Sequence, residues 1–231
     1  MRNATFNGRA LSEFGFYLAD SNFMDGAAKN VETIYIPGRS GLLQRFNNYE
    51  NIKLWANVYC LGNMQQNMAA LRAFLESSIG YQRYEDDFNP FQYRMASFKE
   101  MFTPGAADPN GGVVKLVFDA MPQRYLKSGD TLVTVSASDT LTNPTLFKSY
   151  PLLRTVGSGT IQIGNVTITI AESSYAHIYI DCETMNAYYG AHNANQYVSF
   201  STHDRIALNP GDNGITHTLT ELRVKTRWYE I

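Results

Sequence analysis

Apolar and polar residues alternate in short runs along most of the chain, and the cleanest run of the first half lies between Ile52 and Cys60. Ile52, Leu54, Ala56, Val58 and Cys60 alternate there with Lys53, Trp55, Asn57 and Tyr59, the period of a strand with one buried face. Val114, Leu116, Phe118 and Ala120 repeat the pattern. Nearer the N-terminus, Phe6-Asn7-Gly8-Arg9 has the form of a hairpin tip, and residues 14–18 and 31–36 are apolar runs that predict strands on either side of a polar loop. Pro37-Gly38-Arg39-Ser40-Gly41 punctuates the chain as a turn. One segment changes period. Met64, Met68, Leu71 and Leu75 are spaced by four, three and four residues, which predicts a helix near 64–78. Asn63 is its candidate N-cap and Gly80 its candidate C′ residue, with the two methionines as core filler.

The second half is patterned almost wholly as strands. Residues 143–170 contain two alternating runs around Gly164-Asn165, a type II′ hairpin signal in which Gly accepts the positive φ of the first turn position. A two-residue turn fixes the register, so Ile163 faces Val166 and Ile161 faces Ile168. Gly157-Ser158-Gly159 turns the chain just before this pair. Ile178, Ile180 and Cys182 follow in alternation, then Val198 with Phe200 and Ile206 with Leu208, a tight loop over 209–214, and a closing run of Leu222, Val224 and Trp228. Strands at this spacing without a second helix indicate an antiparallel sandwich or jelly roll. Lys127-Ser128-Gly129-Asp130 reads as a linker by its turn residues, which divides the chain into domains 1–126 and 127–231, the last strand expected to pack back near the first domain.

Composition narrows the function classes. The 231 residues carry 19 Lys+Arg against 21 Asp+Glu, so no broad basic surface for nucleic acid is implied. Charged residues make up only 17% while aromatics reach 13%, with 15 Tyr and 13 Phe. Such chains often bury surface against other proteins; the same counts fit a β-rich fold that uses Tyr and Phe in its strands. Cys60 and Cys182 sit at apolar positions of alternating runs and read as small core hydrophobes, which leaves room for one disulfide but not for a framework. No stretch has the length of a signal peptide core or a membrane span, so the chain is expected to be made in a cytoplasm without a secretion address of its own.

Catalytic chemistry finds little footing. His177, His192, His203 and His217 lack the spacing of metal ligands, there is no CxxC, and no nucleophile elbow, zinc-protease or phosphate-loop motif occurs. Gly157, Gly159 and Gly164 are wrongly spaced for a dinucleotide loop. Glu85, Asp86 and Asp87 form the densest acidic cluster, but sequence neighbours tend to point apart rather than face each other across a bond, so a solvated loop is expected. Tyr188, Tyr189, Tyr197 and Trp228 are candidate stacking rings for a carbohydrate, weighed against a place in the core. No catalytic, cofactor-binding or metal-binding residue is assigned.

Seven pieces in order resemble the distal tail protein family of long-tailed, non-contractile bacteriophages. They are NGR…L…FGF (Asn7 to Phe16), PGRSGLL (from Pro37), MPQRYLKSG (from Met121), NP…S.P.L…GSG…IG (Asn143 to Gly164), IYIDCETMNAYY (from Ile178), NPGDNGI (from Asn209) and the terminal RWYEI. The stretch between the helix and Val113, including the acidic cluster and the loop over 104–112, is the least distinctive. The resemblance implies a mainly β, two-domain fold. Its N-terminal part is a β-sandwich-like domain with one helix that builds a hexameric ring around a channel, and its C-terminal part is a galectin-like jelly roll projecting outward. It also implies a structural virion protein at the distal end of the tail, without catalysis or cofactor. The ring would join the tail-tube protein to the tail-tip or tail-associated protein, serve as a platform for receptor-binding proteins, and let DNA only pass through its channel, with no membrane contact. A carbohydrate-binding module contributing to host-surface adhesion is the alternative.

Overall fold

A computed structural model describes residues 1–99, 104–108 by their backbone, and 111–231. Its contacts separate into two units, Met1–Arg124 with Ile231, and Tyr125–Glu230.

The first unit is built on one mixed-length antiparallel sheet whose strands run in the order Arg9–Ala10, Ala4–Phe6, Gln82–Asp86, Gln92–Phe98, Gly111–Leu126, Ile52–Leu61 and Phe16–Ser21. The long alternating run pairs over its whole length with the 111–126 strand, Ile52 opposite Ala120 and Cys60 opposite Gly112. Its even-numbered side chains enter a core with Phe6, Phe16, Leu116 and Phe118. The helix Met64–Ser77 covers that core through Met64, Leu71 and Leu75. Asn63 caps it as expected, its side chain accepting from the Gln66 amide at 3.3 Å. The C-terminal cap is Ser78 rather than the expected Gly80, because the Ser78 amide closes the last turn on Leu75 O. Asn7 and Gly8 both have positive φ, 47° and 75°, so the first hairpin forms at the expected tip with Phe6 opposite Arg9. The apolar run over 14–18 is not one strand: Leu11–Phe14 is a 3-10 turn, and the strand begins at Phe16 after Gly15 reverses the chain. Within the 104–112 loop, Pro104–Asp108 is a strand paired with Gly111–Leu126, while residues 109 and 110 lie outside the described residues.

The second unit is a sandwich of two antiparallel sheets. One has the order Val133–Val135, Glu221–Lys225, Leu152–Val156, Ile178–Asp181, Asn186–Tyr189, His192–Asn193; the other Ser138–Asn143, Gly211–His217, Gly159–Ile163, Val166–Ile170, Val198–Phe200. Leu153, Ile180, Leu222 and Val224 from the first sheet meet Ile161, Ile168 and Ile215 from the second in one core. The Gly157-Ser158-Gly159 turn carries the chain from one sheet to the other. The 159–170 hairpin has the expected register, with Ile163 opposite Val166 and Ile161 opposite Ile168. Ile206 and Leu208 form no strand; Leu208 only bridges Ser149. The loop expected over 209–214 is already a strand from Gly211 onward. Nor is 127–130 a loose linker: Lys127–Gly129 is a 3-10 turn, and a Cβ on buried Gly129 would sit 2.5 Å from the Trp228 nitrogen.

Gly164 has φ +55° while Asn165 is not among the positive-φ residues, the sign pattern of a type II′ turn. No atom lies within 4 Å of a Cβ placed there, so Gly164→Val is expected to act through backbone strain alone. It should lower stability by about 1–2 kcal/mol, with Gly164→Asn milder, as read from thermal melts; equal melts for Val and Gly would refute the turn.

Candidate assembly surface

Two features of the first unit depart from what a lone globular domain exposes. The first is a ribbon. Lys29–Ile34 pairs antiparallel with Leu43–Tyr49, Val31 opposite Phe46 and Ile34 opposite Leu43, and the two form a two-stranded sheet separate from the main one. The apolar run over 31–36 is a strand as far as Ile34, as expected, but it is not buried: Phe46 opposite it is 51% exposed, and Val31, Ile34, Tyr35 and Ile36 are exposed as well. Alternation dictates an extended ribbon, but among the described residues nothing covers either of its faces. On one face Lys29, Val31, Gln44, Phe46 and Tyr49 line a shallow hollow of about 360 Å³, with the Phe46 and Tyr49 rings edge to face at 5.0 Å. A bulge between Asn30 and Val31 shifts the register near the root, where the Glu50 amide donates to Ala28 O at 2.9 Å.

The second feature is the outward face of the main sheet. The odd-numbered residues of Ile52–Leu61 point away from the core, and they include Trp55, Tyr59 and Leu61. Tyr17 packs beside Tyr59 at 5.8 Å, Val113 lies opposite Tyr59 and is half-exposed, and the Lys115 ammonium sits 5.0 Å from the Trp55 ring centre. An antiparallel sheet with one solvated face normally turns polar residues outward. Here the two strands turn Trp55, Tyr59, Leu61, Val113 and Val117 outward among Lys53, Asn57, Lys115 and Asp119. Ribbon and sheet face differ in shape and composition.

The residues singled out as candidate chemistry are dispersed. Glu85 and Asp86 belong to the strand Gln82–Asp86, not to a solvated loop, and Asp86 is 3% exposed. The correction has a tertiary cause: the Ser21 hydroxyl donates to Asp86 at 2.6 Å from 65 residues away, and the Asn89 amide donates to it at 3.0 Å. Asp87 instead accepts from the Asn3 amide. His217 Nε2 lies 3.1 Å from Val135 O, while His177 and His192 join a ring cluster in the second unit. Among the described residues no group of three or more His, Cys, Asp or Glu converges to hold a metal ion. Cys60 and Cys182 are free and buried; burial first, and then the Asp181 carboxylate, push the Cys182 thiol up to about 12. Of the four candidate stacking rings, Trp228 is only 6% exposed and belongs to the core, and Tyr188 is stacked on Tyr179 at 5.6 Å. Tyr189 and Tyr197 both contact Tyr175, which the periodicity did not single out because it lies between strands. No helix among the described residues is long and apolar enough to cross a membrane.

No family model and no curated protein matches the chain. Solved structures do. The SPP1 Dit protein (gp 19.1), described as a paradigm of the hub adsorption apparatus in Gram-positive-infecting phages, superposes with a TM-score of 0.76 at 14% identity over 100% of both chains. Chains of the phage P2 baseplate in its activated conformation, with Ca and with Sr, match at a TM-score of 0.58 and 10% identity over 97% of both chains. The chain thus has, from end to end, the two-domain β fold of a phage hub protein.

Proposed function

We propose that this protein is a distal tail protein, a non-enzymatic hub of a phage tail tip. The observation that carries the reading is the likeness to SPP1 Dit along the full length of both chains, which leaves no part of either fold unaccounted for. In this reading the first domain, 1–126, closes a hexameric ring at the distal end of the tail, and the second, 127–231, projects from it. The ring joins the tail-tube protein on one side to the tail-tip or tail-associated protein on the other, carries receptor-binding proteins, and lets DNA pass. The exposed ribbon and the aromatic outward face of the main sheet supply the two unlike patches that a closed head-to-tail ring needs. A near-neutral chain suits a channel through which DNA must slide without being held.

Light scattering and negative-stain images of the purified chain test this reading. The expected result is a six-fold ring, alone or after addition of a tail-tube or tail-tip partner. The double variant Val31→Asp, Phe46→Glu is expected to be monomeric yet folded, with a cooperative melt, since both side chains are exposed. A wild-type chain that stays monomeric at high concentration and binds neither partner would overturn the proposal.

A further inference from the structure

The second unit holds a cleft that ring assembly does not explain. It lies where the Gly157-Ser158-Gly159 turn runs alongside the loop that leads into the strand Ile178–Asp181, and it encloses about 280 Å³. Pairing sets this up. Thr155 is opposite Ile178 and its hydroxyl donates to Ile178 O at 3.1 Å, so the residues after the one strand and before the other lie side by side. Gly157 makes the turn close: its φ is +85°, and a Cβ there would meet the Thr220 hydroxyl oxygen at 2.7 Å. A side chain at this position would force the turn away from the sheet and change the mouth of the cleft.

The lining is polar and unspent. Ser158, Glu172, Ser173, Tyr175 and His177 face the cleft, and among the described residues their side chains make no hydrogen bond to the protein. Tyr175 is held rigidly. Its ring lies parallel to Tyr189 at 4.9 Å and to His192 at 6.4 Å, and Tyr197 meets it edge to face at 5.8 Å. His177 is clamped between Tyr179 and Tyr189, each about edge-on, at 5.2 and 5.0 Å. Burial, and then the nearby Arg154 guanidinium, hold the His177 ring below its ordinary pKa, so it is neutral at pH 7 and offers one donor and one acceptor.

We propose that this cleft binds a neutral saccharide. A pyranose presents vicinal hydroxyls, which a free carboxylate accepts in pairs, and a C–H face, which packs on an aromatic ring; Glu172 and Tyr175 supply these two surfaces, with Ser158, Ser173 and His177 for the remaining hydroxyls. The volume lies just below the range of small-molecule sites and suits one or two sugar rings. Among the described residues no cationic side chain lines the cleft to receive a phosphate or carboxylate, and nearby Arg154 is paired with Glu221. All of these residues belong to one unit, so the inference stands apart from the ring and fails or holds independently of it.

The test uses the full chain and two arms. Free galactose, glucose, rhamnose and N-acetylglucosamine are titrated at millimolar concentrations with saturation-transfer NMR, and the labelled protein is applied to an array of immobilised bacterial glycans. Signal in either arm for a neutral sugar is expected; signal on the array alone places the ligand in a polymer, and signal with free sugars alone in a soluble one. Glu172→Gln and Tyr175→Ala should each weaken binding about tenfold. The Glu172 variant should melt as the wild type does, because that side chain is exposed and makes no hydrogen bond to the protein, and it keeps the test valid if Tyr175→Ala disturbs the ring cluster. Silence in both arms, binding that Glu172→Gln leaves unchanged, or preference for sialylated or phosphorylated glycans would overturn the proposal.

Discussion

Arg94→Met is expected to lower the stability of the first unit by about 3–5 kcal/mol. Arg94 is fully buried in the strand Gln92–Phe98, and its guanidinium is held by backbone carbonyls of the loop after Phe16–Ser21 and of the strand Gly111–Leu126, with the Asp25 carboxylate acting on its charge as well. Nε and Nη2 donate to Phe23 O at 3.0 and 2.8 Å, Nη2 also to Asp25 O at 2.6 Å, and Nη1 to the carbonyls of Met121 and Pro122 at 3.3 and 3.0 Å. Five bonds use the five N–H groups of a guanidinium, so none is left unsatisfied. Burial, and then the neighbouring Arg124, lower its pKa to about 10, which still leaves it charged at pH 7. Methionine fills the space but removes the donor of four backbone carbonyls, the one of Phe23 buried and the others part-buried, and the segment carrying Phe23 loses its anchor to the 111–126 strand. Denaturant titration should show a lower midpoint with unchanged slope. Arg94→Lys should recover only part of the loss, since an ammonium has three donors and no fork. Equal midpoints for wild type and Arg94→Met would sink this account.

Asp181→Asn is expected to destabilise the second unit by about 2 kcal/mol, and to flatten its loss of stability in acid. Arg227 holds Asp181 through both guanidinium ends, Nη1 at 2.9 Å and Nη2 at 3.1 Å, and does so from a left-handed backbone conformation of φ 54°. The Glu183 amide donates to the same carboxylate at 2.9 Å. Burial alone would raise the Asp181 pKa, but the Arg227 bonds and the Glu183 and Thr184 amides outweigh it and hold the carboxyl below its ordinary value. Because the folded value is the lower one, the carboxylate stabilises the fold above the ordinary carboxylate range, and that contribution fades as pH falls through the depressed folded value. Melting temperature against pH, from about 5 down to 2, should therefore fall more steeply for the wild type than for Asp181→Asn. Parallel curves would show that the pair contributes nothing.

Period and turn chemistry carried the reading of the chain where neighbours in sequence are also neighbours in space. The 159–170 hairpin needs only Gly164 and two alternating runs, and the helix needs only its spacing and Asn63. Where a distant residue decides, local pattern is not enough. The run from Val31 to Ile36 predicts a strand, but periodicity does not report what covers a strand, and this one's partner over 43–49 covers neither face. Asp86 looked solvated until Ser21 supplied its partner. By sequence Trp228 is open between a stacking ring and a core position, and only the packing of the sandwich places it in the core. The cleft was hidden for a third reason: Glu172 to His177 form no periodic element, and strand pairing alone brings them beside Ser158.

The separate ribbon also bears on how accurately a ring could be built. Two strands without a third are marginally ordered in water, so seating the ribbon on a neighbour would settle its own structure as well as the contact. Part of each contact's energy, about 2–5 kcal/mol, would go into that ordering, which makes a single joint weak and short-lived. A subunit held at both ends dissociates only when two joints open together, whereas a misplaced one, held by a single joint, is soon released. In a closed ring of the kind proposed, weak joints would act as proofreading.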